Sequence, residues 1–339
     1  MSETKKTMVK AASKGPAITV AVTTGYRPEA ARMTLSAIAS QTIADRIELY
    51  FCIRPGADVG PVRHLLEGMG SYRIFDDMEI DTVEKCSARM SLQANAPFVA
   101  MIEDHAFPDP EWAETMVKTF EANGVDGVGS GMLNANPGTQ LSWANFMLSY
   151  AHWAEANPEG PTDWISHHNG SFRLSALQML TPEEVIEGCN REGDVVKTLK
   201  EKGAKLYFKP DGRIRHINPS SLSSTSRLRS DVGRLYGWNR ARNESWGPLK
   251  RVAYFVLGPA IPILRYVRMR HVVFKQLPDI NERSHGLALI IGLVLDAAGQ
   301  MMGYVAGPGG TRERLAKFEM DRSMHLTPED KRKLYPASR

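Results

Sequence analysis

The sequence predicts an α/β domain, a largely parallel sheet with helices on both faces, extended on its C-terminal side by apolar and basic helices. Three observations predict it. Short continuous apolar runs at 18–23, 47–53 and 98–102 alternate with segments of helical apolar spacing, the pattern of buried parallel strands joined by crossover helices. The third run stops at Glu103, Asp104 and His105, which puts three metal-competent side chains at the carboxyl end of a strand, where open α/β sheets bind ligands. Past Pro219 the alternation ceases, and serines, arginines and long apolar stretches replace it.

Taken in order, ITVAVT at 18–23 reads as a first buried strand, and Pro28 fits the first turn of the helix that follows, with Met33, Leu35 and Ile38 in helical spacing. IELYFCI at 47–53 is the second strand. A helix at 62–69, a short strand at 72–75 and a helix at 83–94 carrying Lys85 and Arg89 lead into FVAMI at 98–102. The stretch MIEDHAFPDPEW then breaks at Pro108 and Pro110 before a helix at 111–122. A glycine-loosened strand at 127–133, an aromatic helix at 143–156, the segment ISHHNGSFR at 165–173 and a helix at 175–180 come next. Thr181-Pro182 starts another helix, and Gly203 is expected to end the helix at 192–202 as its C-cap. Pro210-Asp211-Gly212 is expected to be a turn between two last strands, 204–208 and 214–217, the second carrying His216.

The chain of 339 residues is long enough for about two domains. A net charge of +4 is too mild to argue for nucleic acid, and the composition is that of ordinary globular protein. Three widely separated cysteines, Cys52, Cys86 and Cys189, argue against a disulfide framework or a zinc site and fit a reducing, cytosolic setting. Residues 1–16, polar and basic with no apolar core, read as a disordered lead-in rather than a secretory signal. There is no internal repeat at solenoid periods.

Residues 219–247 read as a basic linker helix, with Arg227, Arg229, Arg234, Arg240 and Arg242 either solvated or anion-binding. Residues 248–310 read as an apolar helical region that associates with membranes. Its stretch 252–264 lacks charge but is too short to span and holds Pro259 and Pro262, while 286–307 is long enough but carries Asp296 near its centre and reads as a marginal transmembrane segment. Arg265, Arg268, Arg270, His271 and Lys275 between them form a cluster suited to anionic headgroups. Interfacial or re-entrant contact at the cytoplasmic membrane face is therefore expected. The alternative occupants are the first domain or a second subunit in a homodimer. Residues 311–339 read as a charged, exposed tail.

The opening strand and loop ITVAVTTGYRPE, the ANAPFVAMIEDH run, the helix from Glu192 to Gly203 and a closing histidine occur in the order that resembles glycosyltransferase family 2. The resemblance covers about 17–218 and implies a GT-A catalytic domain, Rossmann-like, that uses nucleotide-diphosphate sugars with inversion. It implies that Glu103, Asp104 and His105 hold Mg²⁺ or Mn²⁺ on the donor diphosphate, with His216 completing the metal site. It places Glu192 on the catalytic base position, with Asp194 as alternate. It also implies donor contacts from Thr23, Thr24, Tyr26, Arg27, Glu29, Arg89, Asp104, Asn169 and Arg173. Two departures are plain: a histidine stands where the family has a carboxylate, and CIRPGAD replaces its Asp-rich turn. No Gln-x-x-Arg-Trp motif occurs, so transfer of a single sugar to a lipid-linked or cell-envelope glycan is expected. A non-catalytic sugar-nucleotide or glycan-binding scaffold is the alternative. A nucleotidyltransferase is disfavoured, because TTGYRPE has one glycine and one arginine where a triphosphate-gripping loop needs more.

Overall fold

The computed structural model describes residues 9–10, 15–25, 27–76, 78, 80–190, 194–277 and 279–335. The chain divides into two compact units, one of residues 1–133 and 153–216, the other of residues 134–152 and 217–339.

The first unit is built on one ten-stranded sheet. In chain order its elements are β1 (Val9–Lys10), β2 (Ile18–Thr23), α1 (Arg32–Ala39), β3 (Ile47–Cys52), α2 (Arg63–Glu67), β4 (Ser71–Phe75), α3 (Val83–Ser91), β5 (Phe98–Glu103), β6 (Ala106–Pro108), α4 (Trp112–Asn123) and β7 (Gly127–Asn134). After α5 (Gln140–Tyr150), which belongs to the second unit, come β8 (Gly160–Thr162), β9 (Gly170–Arg173), α6 (Leu174–Leu177), α7 (Pro182–Asn190), α8 (Asp194–Glu201) and β10 (Leu206–His216). The strands lie in the order β1-β4-β3-β2-β5-β9-β7-β10-β6, with β8 on β10.

β4, β3, β2 and β5 are mutually parallel, as their continuous apolar runs imply, and every residue of β2 and β3 is buried. The other half adds antiparallel pairs: β9 enters between β5 and β7, and β6 and β8 pair with β10. The expected turn at Pro210-Asp211-Gly212 does not form, and β10 runs unbroken through it. β8 pairs with 206–208 and β6 with 214–216, so Pro210 falls in the gap between the two short strands. α8 ends as expected at Gly203, whose φ of 89° is a left-handed value that suits glycine.

The second unit is helical: α5, α9 (Leu222–Asn243), α10 (Pro248–Val256), α11 (Ala260–Gln276), α12 (Glu282–Ala306), α13 (Thr311–Glu319) and α14 (Pro328–Leu334). Ser221 caps α9 by accepting from the Ser224 amide. α9 and α12 run side by side in the same direction at backbone contact. Gly233 and Gly237 of α9 face the Asp296 and Gln300 carbonyls, and Gly299 and Gly303 of α12 face those of Ser230 and Arg234. A Cβ on Gly299 would lie 2.1 Å from the Ser230 carbonyl oxygen, so only glycine permits this approach.

Two arginines of α9, Arg229 and Arg234, serve packing, while Arg227 and Arg242 are exposed. Arg229 is buried and donates to Asn145 Oδ1 at 2.7 Å and Ser149 Oγ at 2.8 Å, and Arg234 caps the end of α12 through the Gly307 carbonyl at 2.8 Å. Asp296, the charge near the centre of α12, pairs with Arg265 of α11 and accepts from Gln300. The expectation of an exposed tail is corrected. Asp330 is buried and accepts from Asn136, Arg314 forks onto Asp231, and Thr327 donates its amide to Ser220, because 311–335 satisfies polar groups of α9 and the 134–136 segment. All three cysteines are buried and free of disulfides.

Candidate active site and metal centre

Four segments converge at the carboxyl end of the parallel strands. The β2–β5 register sets Thr23 beside Glu103, so Thr24 and Asp104 follow it out of the sheet together, and the Thr24 hydroxyl lies 2.9 Å from Asp104 Oδ2. β9 runs antiparallel to β5, with Gly170 opposite Met101, which delivers the preceding Asn169 to Glu103. β6 begins immediately after His105 and pairs with the end of β10, with His216 opposite Ala106, so the two histidine rings meet at 4.8 Å between centroids.

Glu103, His105 and His216 form a cluster whose ligand atoms all lie within 4.8 Å of one another. His216 Nε2 is 3.1 Å from Glu103 Oε2, and His105 Nε2 is 3.8 Å from Glu103 Oε1. Both histidines are buried and Glu103 is nearly so. Asp104 stands behind His105 with Oδ1 2.9 Å from Nδ1. With the carboxylate as acceptor, Nδ1 carries a proton, and Nε2 is the nitrogen turned to the cluster. Metal-binding histidines are commonly oriented by a carboxylate in this way. One carboxylate and two imidazoles therefore fit a divalent ion, with Asp104 as the group that aims His105. This donor set suits a transition ion such as Mn²⁺ better than Mg²⁺, which prefers oxygen.

Electrostatics agree with the geometry. Burial opposes a charge on Glu103, but His168, His105 and the hydrogen bond from His216 outweigh it and hold the carboxyl well below the usual range. Burial, reinforced by His168, pushes His167 down to about 3, so this ring is neutral. Burial also pushes Glu84 upward, with the Glu103 charge adding to the effect while His168 opposes it. Glu84, in the first turn of α3, is the carboxylate that sequence reasoning misses: it looks like an ordinary helix N-terminal acid.

Asn169 holds Glu103 from two sides, accepting from the Glu103 amide at 3.1 Å through Oδ1 and donating to Oε2 through Nδ2. Its φ of 58° is a left-handed value that asparagine tolerates better than most residues. Asn169→Ala is expected to lower Mn²⁺ affinity by about 10- to 100-fold, the usual cost of losing an outer-shell partner. Asn169→Gly, which keeps the backbone freedom and loses the same bonds, is expected to do no better in the same titration.

The remaining candidates are placed as follows. Thr23 bonds Ser87 at 2.9 Å. Arg27 and Glu29 are exposed after β2, Arg27 as the N-cap of the 3-10 helix Pro28–Ala31 and Glu29 in its first turn. Arg89 is held by Asp81 at 3.0 Å. Asp194 is exposed in the first turn of α8. Tyr26 and Glu192 lie outside the described residues. Asn190, at the end of α7, accepts from Thr82, the N-cap of α3. Arg173 is not brought to the cluster. It pairs in register with Phe98, at the other end of β5, and donates to the Phe120 and Val125 carbonyls at the end of α4.

No family model matches the chain. No curated protein matches it by sequence. Among solved structures, S. aureus TarS 1-349 in complex with UDP-GlcNAc is similar with a TM-score of 0.48 at 12% identity, covering 88% of this chain and 92% of that one. The mannosyltransferase PcManGT from Pyrobaculum calidifontis, in complex with GDP-Man and Mn²⁺, is similar with a TM-score of 0.46 at 14% identity, covering 93% of this chain and 83% of that one.

Proposed function

We propose that the chain is a metal-dependent glycosyltransferase that moves one sugar from a nucleotide-diphosphate sugar to an acceptor hydroxyl with inversion. The observation that carries this reading is the convergence of Glu103, His105 and His216 at the carboxyl end of β5. Glu103, His105 and His216 would hold a divalent ion, which when bound would neutralise the charge that develops on the departing diphosphate. Asp104 fixes the tautomer of His105, and Asn169 fixes the carboxylate of Glu103. Thr23, Thr24, Tyr26, Arg27 and Glu29 supply the nucleotide side. The oxygen of the acceptor hydroxyl forms a bond to the anomeric carbon, the bond from that carbon to the diphosphate oxygen breaks with its electron pair, and the hydroxyl proton passes to Glu192. Asp194 is the alternate base.

The acceptor we assign is a lipid-linked or cell-envelope glycan presented at the cytoplasmic membrane face. The apolar surface of the second unit supports this part of the reading.

The test is release of nucleoside diphosphate from a panel of sugar nucleotides. Release is expected with at least one donor and about tenfold or more faster with Mn²⁺ than with Mg²⁺, in keeping with the two imidazoles. Tight binding of a sugar nucleotide with no turnover on long incubation would favour the scaffold alternative, and undiminished turnover in Asp104→Ala and His105→Ala would remove the metal assignment.

A further inference from the structure

α10 and the first half of α11 are amphipathic the wrong way round for a soluble protein. On α10 and its C-cap the large apolar residues Leu249, Val252, Val256 and Leu257 face outward, spaced as one helical stripe, and Leu249 is 88% exposed. The inward side of the same helix carries Tyr254, which packs on Trp246 and Tyr304. After a bend of 67° the stripe continues onto α11 through Ile263, Leu264 and Val267, all more than half exposed. α11 then changes character within one turn: its next outward residues are Arg268, His271, Val272 and Lys275, all but Val272 basic. The acids of the neighbouring helix do not neutralise this cluster, since Glu282 is taken up by Tyr266 and Arg270, and Asp296 by Arg265.

We infer that this corner is a membrane-insertion wedge whose partner is an anionic lipid leaflet. The apolar half of α11, residues 260–267, is about 12 Å long at 1.5 Å per residue. Interfacial helices bury their apolar side only roughly 5–10 Å deep, a depth that a stretch of this length covers when it lies tilted at the surface. The basic half then lies at headgroup level, where charge is complementary to anionic lipid.

α12 adds an outward stripe of its own, Leu287, Ile290, Val294, Met302 and Val305. It is long and apolar enough to cross a membrane by length and composition. It does not cross as a lone helix, because α9 runs along it carrying Arg227, Asp231, Arg240 and Arg242. A full crossing would drag these charges into hydrocarbon, so α12 rests its outer stripe in the same leaflet as the wedge. The wedge specifies the membrane partner of the proposed reading and rests on it only for the acceptor, because lipid binding is measurable without any sugar nucleotide.

The experiment is flotation of the full chain with vesicles of phosphatidylcholine alone or phosphatidylcholine containing phosphatidylglycerol. The wild type is expected to float with the phosphatidylglycerol vesicles. Arg268→Gln and Lys275→Gln should each weaken binding about fivefold, equivalent to about 1 kcal/mol per charge. Val256→Asp, an exposed substitution, should weaken binding to both vesicle types by about tenfold or more while leaving the melting temperature and donor turnover in place. The indole fluorescence of a Val256→Trp variant should be quenched by brominated acyl chains. Absence of flotation by the wild type, or indole fluorescence in the Val256→Trp variant that the brominated chains leave unquenched, would overturn the inference. So would a solution dimer that Val256→Asp dissociates, which would give the stripe to a second copy. Loss of sugar-nucleotide turnover with intact flotation would instead count against the transferase reading alone.

Discussion

Glu103→Gln is expected to abolish transfer, with a fall in kcat/KM on the order of 10³ or more, since an ion on a leaving diphosphate supplies several kcal/mol of charge stabilisation. The substitution keeps the shape of the side chain and its capacity to hydrogen-bond to Asn169. It removes the one carboxylate of the cluster and leaves two buried imidazoles to hold a cation alone. The same change has a pH signature. The folded-state carboxyl of Glu103 is held below its ordinary value of 4.5, so its ionisation contributes stability that is fully present above the ordinary value. That contribution is lost as pH falls through the lower folded value. Melting curves should therefore show Glu103→Gln less stable than wild type at neutral pH and the two converging in acid. A gap that widens in acid would contradict the assignment of Glu103 as the ionised partner of His105 and His216.

The second large effect is expected at the glycine contact of α9 and α12. Gly299→Ala and Gly303→Ala should each destabilise the chain by about 3 kcal/mol, the upper range for forcing atoms into a packed interface. At about two to four degrees per kcal/mol for a unit of this size, each variant should melt roughly 6–12 °C lower. The sign is what makes the test sharp. Helix propensity alone favours alanine over glycine by about 1 kcal/mol, so a solvent-facing or loosely packed α12 would be stabilised. Here the added Cβ would meet the Ser230 carbonyl oxygen at 2.1 Å or that of Arg234 at 2.2 Å, and backbone oxygens cannot move aside cheaply. Calorimetry of the two variants distinguishes the cases by sign.

Much of this is legible in the chain because its signals are local. Continuous apolar runs announce buried parallel strands, and a sudden Glu-Asp-His marks the carboxyl end of one, where Glu103 and His105 meet His216. What is not legible depends on pairing between distant segments. Pro210-Asp211-Gly212 has turn chemistry, yet it is strand because β6 and β8 pair on either side of it. Arg173 lies four residues beyond Asn169, but antiparallel pairing of β9 with β5 carries it away from the cluster as surely as it brings Asn169 in. Asp104 reads as a ligand in the sequence, and its place behind His105 depends on the Thr24 contact made across the β2–β5 register. Glu84 carries no signal beyond its helix position. Arg229 reads as one arginine in a solvated or anion-binding series and is instead enclosed by α5, because Asn145 and Ser149 face it.

The most direct measurement of the central claim is electron paramagnetic resonance of Mn²⁺ titrated into the protein, with wild type compared with a His105→Ala, His216→Ala double variant. The wild type is expected to bind one Mn²⁺ per chain with nitrogen couplings from two imidazoles, and the double variant to lose both the site and the couplings. Mn²⁺ held equally well after both histidines are removed would contradict the account.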